Sequence, residues 1–179
     1  MKSGVFIERD VLLNLTTRGG QQKTPLTMEE FCVNESVLVP LQRLKSAGLL
    51  ILVTTNQPEI SRGNLSRREL DSMHSVLCAR LPIDDILLCA HDDEDHCPCR
   101  KPRAGLFHEA AFTWHLELGQ SYVIGHRWQD ADAARVIGAT SVMIQSPWLG
   151  RGHADVVTPD FSAAVEKILE LMRIEWKVA

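Results

Sequence analysis

Short apolar runs alternate along this chain with stretches whose apolar residues recur every three or four positions. Val5, Phe6 and Ile7 form one run, and residues 49–53 form a longer one of leucine and β-branched side chains. Runs of this kind, bounded by polar residues, are expected of strands buried on both faces of a parallel sheet. Between them Val37, Leu38, Leu41 and Leu44 share a helical face, and Gly48 stops that helix. Ser66 and Glu69 make a capping-box start for a second helix reaching residue 80.

The same alternation continues to the end. Strands are expected at 86–88, 122–124 and 141–144, and helices at 104–115 and 130–137. Near Val157 a strand or turn leads into a last helix over 163–172. This α/β order predicts one Rossmann-like three-layer domain over 1–179, a parallel sheet with helices on both faces. Ligands of such sheets bind at the carboxyl ends of the strands. Most of the motifs described next follow directly on an expected strand.

Composition narrows the partners. A net charge of −4 gives no electrostatic footprint for nucleic acid or an anionic membrane. No apolar run approaches the roughly 20 residues that span a bilayer. Arg9 and Asp10, close behind a very short apolar run, are unlike a secretory signal, so a cytoplasmic location is expected.

Four segments carry candidate chemistry. Glu8 and Asp10, two residues apart at a strand end, leave on the same side, as acid–base or covalent phosphoryl chemistry requires; two solvated carboxylates are the plainer reading. Thr54-Thr55-Asn56-Gln57 offers a hydroxyl after the strand at 49–53, or an ordinary helix cap or turn. Arg100 and Lys101, in Cys99-Arg100-Lys101-Pro102, could neutralise anionic groups or lie on the surface. Gly125-His126-Arg127-Trp128-Gln129-Asp130 brings a histidine and a carboxylate to another strand end.

Of five cysteines, Cys32 and Cys78 stand apart, while Cys89, Cys97 and Cys99 cluster with His91. Cys89-x-His91 and Cys97-x-Cys99 are two close ligand pairs of the kind that hold a structural zinc, with unrelated buried thiols as the alternative. His96 is a possible substitute ligand, but the spacing favours His91. The loop between the pairs, Asp92 to His96, has no hydrophobic reason to be ordered, and a metal would supply one. Its carboxylates argue against a nucleic-acid zinc ribbon.

These segments together resemble the haloacid-dehalogenase-like phosphohydrolases over residues 5–144. Val5 to Val11 is similar to V-F-L-D-R-D-G, with Glu8 for the first Asp and Val11 for the Gly. Thr55 to Gly63 is similar to T-N-Q-P-x-x-A-R-G, with Ser61 for the Ala, and the segment from Gly125 to G-D-R-W-x-D, with His126 for the first Asp. The cysteine pattern running into Arg-Lys-Pro resembles the zinc loop of the histidinol-phosphatase and heptose-bisphosphate-phosphatase branch.

The resemblance implies catalytic positions at Glu8, Asp10, Thr55, Lys101 and Asp130. Glu8 stands at the nucleophile, Asp10 at the proton-transfer group, Thr55 and Lys101 at phosphate contacts, and Asp130 at the group that orients Lys101 or a metal-bound water. It also implies substrate contacts at Asn56, Arg62 and Arg100, and structural Zn²⁺ on Cys89, His91, Cys97 and Cys99. A divalent-cation site at Glu8, Asp10, His126 and Asp130 would be impaired. No large cap domain is expected, so specificity would lie in the zinc loop, Arg62 and the 16–27 loop with Arg18 and Lys23.

The departures weigh on activity. Glu8 reaches one methylene further than aspartate, and a displacement of roughly 1 Å can cost on the order of 100-fold in rate. His126 removes an oxygen ligand that Mg²⁺ would need. Val11 sits where glycine would let the backbone turn close to phosphate. The expectation is therefore a phosphatase-family protein that binds phosphate or a sugar phosphate with hydrolase activity weak or lost, a protein partner being possible if it is inactive. The alternative is an active phosphomonoesterase on a heptose bisphosphate, histidinol phosphate or related sugar phosphate, using Glu8 and a transition metal rather than Mg²⁺. A second alternative is a zinc-stabilised interaction domain.

Overall fold

A parallel sheet carries the molecule, and its central strand is the first. The structure, a computed structural model, describes residues 2–16, 24–150 and 153–178, the last five by their backbone alone. The elements are β1 (Gly4–Glu8), β2 (Asn14–Thr16), β3 (Phe31–Val33), α1 (Leu38–Ser46), β4 (Leu50–Asn56), α2 (Arg67–Arg80) and β5 (Asp85–Cys89). They continue with α3 (Gly105–Trp114), β6 (Tyr122–Gly125), α4 (Trp128–Ile137), β7 (Thr140–Ile144), β8 (Val156–Thr158) and α5 (Phe161–Val178). Sheet order is β5-β4-β1-β6-β7-β8, every pair parallel. The chain builds outward from β1 to β5 on one side, then returns to build β6 to β8 on the other. That reversal makes the carboxyl end of β1 the place where a ligand crevice opens.

Period-two alternation divides the core into two layers. Val5 and Ile7 face one side with Ile51, Val53, Leu41, Leu70 and Val165, all fully buried. Phe6 faces the other with Leu52, Val123, Phe107 and Ala134, its ring edge-on to Phe107 at 4.9 Å. The three-layer expectation is met.

Two local differences from the expected elements have physical causes. Glu69 does not complete the capping box of α2: the Ser66 hydroxyl accepts from Glu69 N–H at 3.1 Å, but the Glu69 carboxylate accepts from Met28 N–H at 2.7 Å. The cap is spent tying down the segment before β3. Helix α4 starts at Trp128 because the Asp130 carboxylate accepts from the backbone N–H groups of His126 and Arg127. The antiparallel pair β2–β3 has three residues per strand, too short for a period to register in the sequence. Among the described residues no helix is long and apolar enough to cross a membrane.

Candidate active site

The carboxyl ends of β1, β4 and β6 meet at a cleft of about 580 Å³, its open mouth included. Glu8, Asp10 and Asp130 line it with three cations, Arg100, Lys101 and Arg127. Register explains the convergence, since Glu8 pairs with Thr54 on β4 and Ile7 with Ile124 on β6.

Lys101 is the hub. Its ammonium donates to Glu8 Oε2, to Asp130 Oδ1 at 2.8 Å and to the Thr54 carbonyl at 3.1 Å. Asp130 packs so tightly over Gly125 that a Cβ there would lie 2.4 Å from it, which only glycine permits. Burial pushes the Glu8 carboxyl up to about 7, with Lys101 pulling the other way and Asp130 and Asp10 adding to the rise. Burial alone would lower the Lys101 pKa, but Asp130 and Glu8 outweigh it and hold the ammonium charged.

Asp10 is equally enclosed. Its Oδ1 accepts from Arg9 Nη2 at 2.6 Å and Nε at 2.9 Å, and its Oδ2 from Gln57 and Thr24, both at 2.9 Å. Burial opposes ionisation here, yet Arg9 and these donors bring the pKa below the usual aspartate value. Arg9 is fully buried, with Nη1 3.0 Å from His74 Nε2. Val11 follows at φ 73°, the left-handed region that a β-branched residue adopts only under strain.

The other expected positions divide. Asn56 lines the cleft and exchanges hydrogen bonds with the Lys101 backbone, 3.2 Å to its carbonyl and 3.1 Å from its N–H. Arg100 lines it too, its Nε donating to Asp93 at 2.6 Å. Thr55 is fully buried behind the wall, its hydroxyl accepting from Gln57 at 2.8 Å. Arg62 is not on the wall; it pairs with Asp92 at 2.6 Å and Glu59 at 2.7 Å. Arg18 and Lys23 lie outside the described residues. Thr24, Arg127 and Gln129 line the cleft without having been singled out in the sequence. For Arg127 the available signal was its place beside His126 in a motif that follows a strand.

His126 does not join Glu8, Asp10 and Asp130 on the wall. It is buried, edge-on to Trp148 with centroids 6.0 Å apart, and its Nε2 accepts from Arg127 Nε at 3.3 Å. Burial lowers its pKa to about 4, so the ring is neutral. The family-type Mg²⁺ site can be tested against these donors. Each oxygen of Glu8, Asp10 and Asp130 accepts from at least one protein donor, which leaves it a further lone pair, and His126 is not among the residues that line the cleft. Mg²⁺ requires near-octahedral oxygen coordination. Three carboxylates converge here, but a histidine stands where a further oxygen donor is needed, so the set fits Mg²⁺ poorly.

A second donor set does close around a point. Cys89 Sγ lies 3.6 Å from Cys97 Sγ, Cys97 3.5 Å from Cys99, and His91 Nδ1 3.3 Å from Cys99 and 3.6 Å from Cys89. Bonds of about 2.3 Å to a tetrahedral ion imply ligand separations of about 3.8 Å, close to these. Among the described residues this is the one His, Cys, Asp or Glu group whose donor atoms converge in this way. The acidic loop beside it is ordered by a 3-10 turn at Asp93–Asp95 and by Arg62 and Arg100.

Comparison with known proteins places this architecture. A protein from Haemophilus ducreyi named D-glycero-beta-D-manno-heptose-1,7-bisphosphate 7-phosphatase is 30% identical over 158 residues, covering 81% of this chain and 84% of its own. The chain belongs to the haloacid-dehalogenase-like phosphohydrolases. Residues 98–164 match the family model described as HAD-hydrolase-like. A Helicobacter pylori relative of the same name is 28% identical over 172 residues, covering 92% of this chain and 96% of its own. The fold is also that of D,D-heptose 1,7-bisphosphate phosphatase from B. bronchiseptica, crystallised with magnesium and phosphate. That structure gives a TM-score of 0.81 at 24% identity and covers 96% of this chain and 99% of its own.

Proposed function

We propose that this chain is a phosphomonoesterase that acts on a phosphorylated sugar, with Glu8 as its nucleophile. The observation that carries the reading is the buried Glu8–Lys101–Asp130 chain, open to a cleft that Arg100 and Arg127 also line. Preorganised cations around a carboxylate suit phosphoryl transfer, in which positioning and charge stabilisation supply most of the catalysis. A Glu8 oxygen would bond to phosphorus as the ester P–O bond breaks, and the leaving alkoxide would take a proton from a water molecule in the cleft. Water would then attack the acyl phosphate at phosphorus, releasing phosphate and restoring Glu8. Asp10, held ionised by Arg9, is suited to accept the proton of that water. Relatives named as heptose-bisphosphate phosphatases favour a sugar bisphosphate, and favour turnover over the loss of activity expected from the motifs. The Cys89, His91, Cys97 and Cys99 set would hold zinc and fix the chain that leads into Arg100 and Lys101.

Phosphate release from a heptose 1,7-bisphosphate, fructose 1,6-bisphosphate and histidinol phosphate tests the reading, with and without added Mg²⁺ or Mn²⁺. Turnover that disappears in Glu8→Gln is the expected result. A second reading, binding without hydrolysis, draws on one observation: His126, which stands where the resemblance implies a metal ligand, does not line the cleft. No release from any substrate, with each still raising the melting temperature, would favour it.

A further inference from the structure

Arg127 is the cleft cation without a carboxylate. Among the described residues it makes no ion pair, whereas Arg100 is held by Asp93 and Lys101 by Glu8 and Asp130. Two neutral side chains hold Arg127 instead. Its Nε donates to His126 Nε2 at 3.3 Å, and its guanidinium carbon lies 5.8 Å from the centroid of the Trp148 ring. The segment bearing Trp148 is stitched to this corner, Ser146 Oγ donating to the His126 carbonyl and Trp128 N–H to the Trp148 carbonyl at 3.1 Å.

The bond to His126 fixes that ring's chemistry. An arginine Nε–H can only donate, so in this contact Nε2 offers its lone pair and the ring proton sits on Nδ1, a buried atom without a hydrogen-bond partner among the described residues. A ring so committed has no lone pair left for a cation. The residue that replaces a metal ligand has become an acceptor for a guanidinium. The remaining N–H groups of that guanidinium form no hydrogen bond among the described residues, and the side chain lines the cleft beside Lys101.

We propose that His126 and Trp148 are positioning residues that present Arg127 as the phosphate clamp, so that the cleft takes up a phosphate group without a divalent cation. This rests on reading the cleft as a phosphomonoester site. Charge agrees: Asp10 is met by Arg9, and Glu8 and Asp130 share Lys101, so a dianion entering the cleft needs the further positive charge that Arg127 brings. Guanidinium suits the role because its fork matches two phosphate oxygens at once while its face rests on an indole.

Calorimetric titration of inorganic phosphate into the zinc-loaded full chain tests this, first in buffer free of Mg²⁺ and then with Mg²⁺ added. Binding without Mg²⁺ is expected, with an affinity that Mg²⁺ leaves nearly unchanged. Arg127→Ala should weaken it by about tenfold or more, the scale of one charge-assisted pair. His126→Leu and Trp148→Leu should weaken it too, whereas His126→Asn, which keeps an acceptor, and Trp148→Phe, which keeps a ring, should recover most of the affinity. A merely structural role would not give that rescue pattern in variants of equal melting temperature. Phosphate binding only when Mg²⁺ is present, or wild-type binding by folded Arg127→Ala, would overturn the proposal. Cation-free phosphate binding without any turnover would sink hydrolysis and leave the clamp standing; turnover with Mg²⁺-dependent phosphate binding would do the reverse.

Discussion

Lys101 Nζ lies 2.8 Å from Asp130 Oδ1, and both side chains are 2% exposed. With Glu8 on its other side, one ammonium compensates two enclosed carboxylates. Removing it leaves both facing each other in a place water barely reaches. Lys101→Met should therefore cost about 3–5 kcal/mol, the usual consequence of breaking a buried ion pair from one side. Urea unfolding measures this; a loss below about 1 kcal/mol would mean that the pair is more hydrated than its burial indicates.

Val11 is strained at φ 73°. A β-branched residue in the left-handed region costs of order 1–3 kcal/mol, which glycine relieves while losing somewhat more chain entropy on folding. Val11→Gly should raise stability by about 1 kcal/mol. Equal or lower stability in thermal and chemical unfolding would count against strain at this turn.

The cysteine–histidine set predicts zinc at one ion per chain. Its removal by a chelator, or Cys97→Ser, should destabilise the fold and weaken phosphate binding together, because Cys99 leads directly into Arg100 and Lys101. Elemental analysis with parallel melting curves checks it. Little or no metal in carefully purified protein of full stability would refute the assignment.

His74 gives a pH dependence. Burial, then repulsion from Arg9, lowers its pKa to about 4, from about 6.5 when unfolded. Across that interval the unfolded chain binds the extra proton. The contribution is fully present above about pH 6.5 and is lost as pH falls through about 4, with a slope of up to about 1.4 kcal/mol per pH unit. His126 shifts in the same sense and Glu8 in the opposite one, so the useful quantity is the difference between wild type and His74→Gln. That difference should narrow on acidification. A gap that stays constant between pH 7 and 4 would contradict the assignment.

The sheet was legible because β1, β4, β6 and β7 are buried on both faces and so read as uninterrupted apolar runs. The β2–β3 pair was not, since Leu15 is half exposed and three residues set no period. At the site, Glu8, Asp10 and Asp130 stand at or after strand ends and meet in one cleft with Lys101, and the spacing of Cys89, His91, Cys97 and Cys99 pointed to donors that converge. Arg9, Gln57 and Arg127 escaped notice because their roles are relations. A buried arginine matters here through its neighbour Asp10, and a guanidinium through the adjacent His126 and a tryptophan from another segment. Thr55 and Arg62 matched motifs, but motif order does not report that Gln57 occupies the Thr55 hydroxyl or that Asp92 and Glu59 hold Arg62.

The most direct test of the account is to trap the covalent intermediate. The chain is quenched during turnover of a sugar phosphate, reduced with borohydride to convert any acyl phosphate to an alcohol, and mapped by peptide mass. The account predicts a reduced side chain at Glu8, absent without substrate and absent in Glu8→Gln. Phosphate release with an unmodified Glu8, or a mark on Asp10 instead, would contradict it.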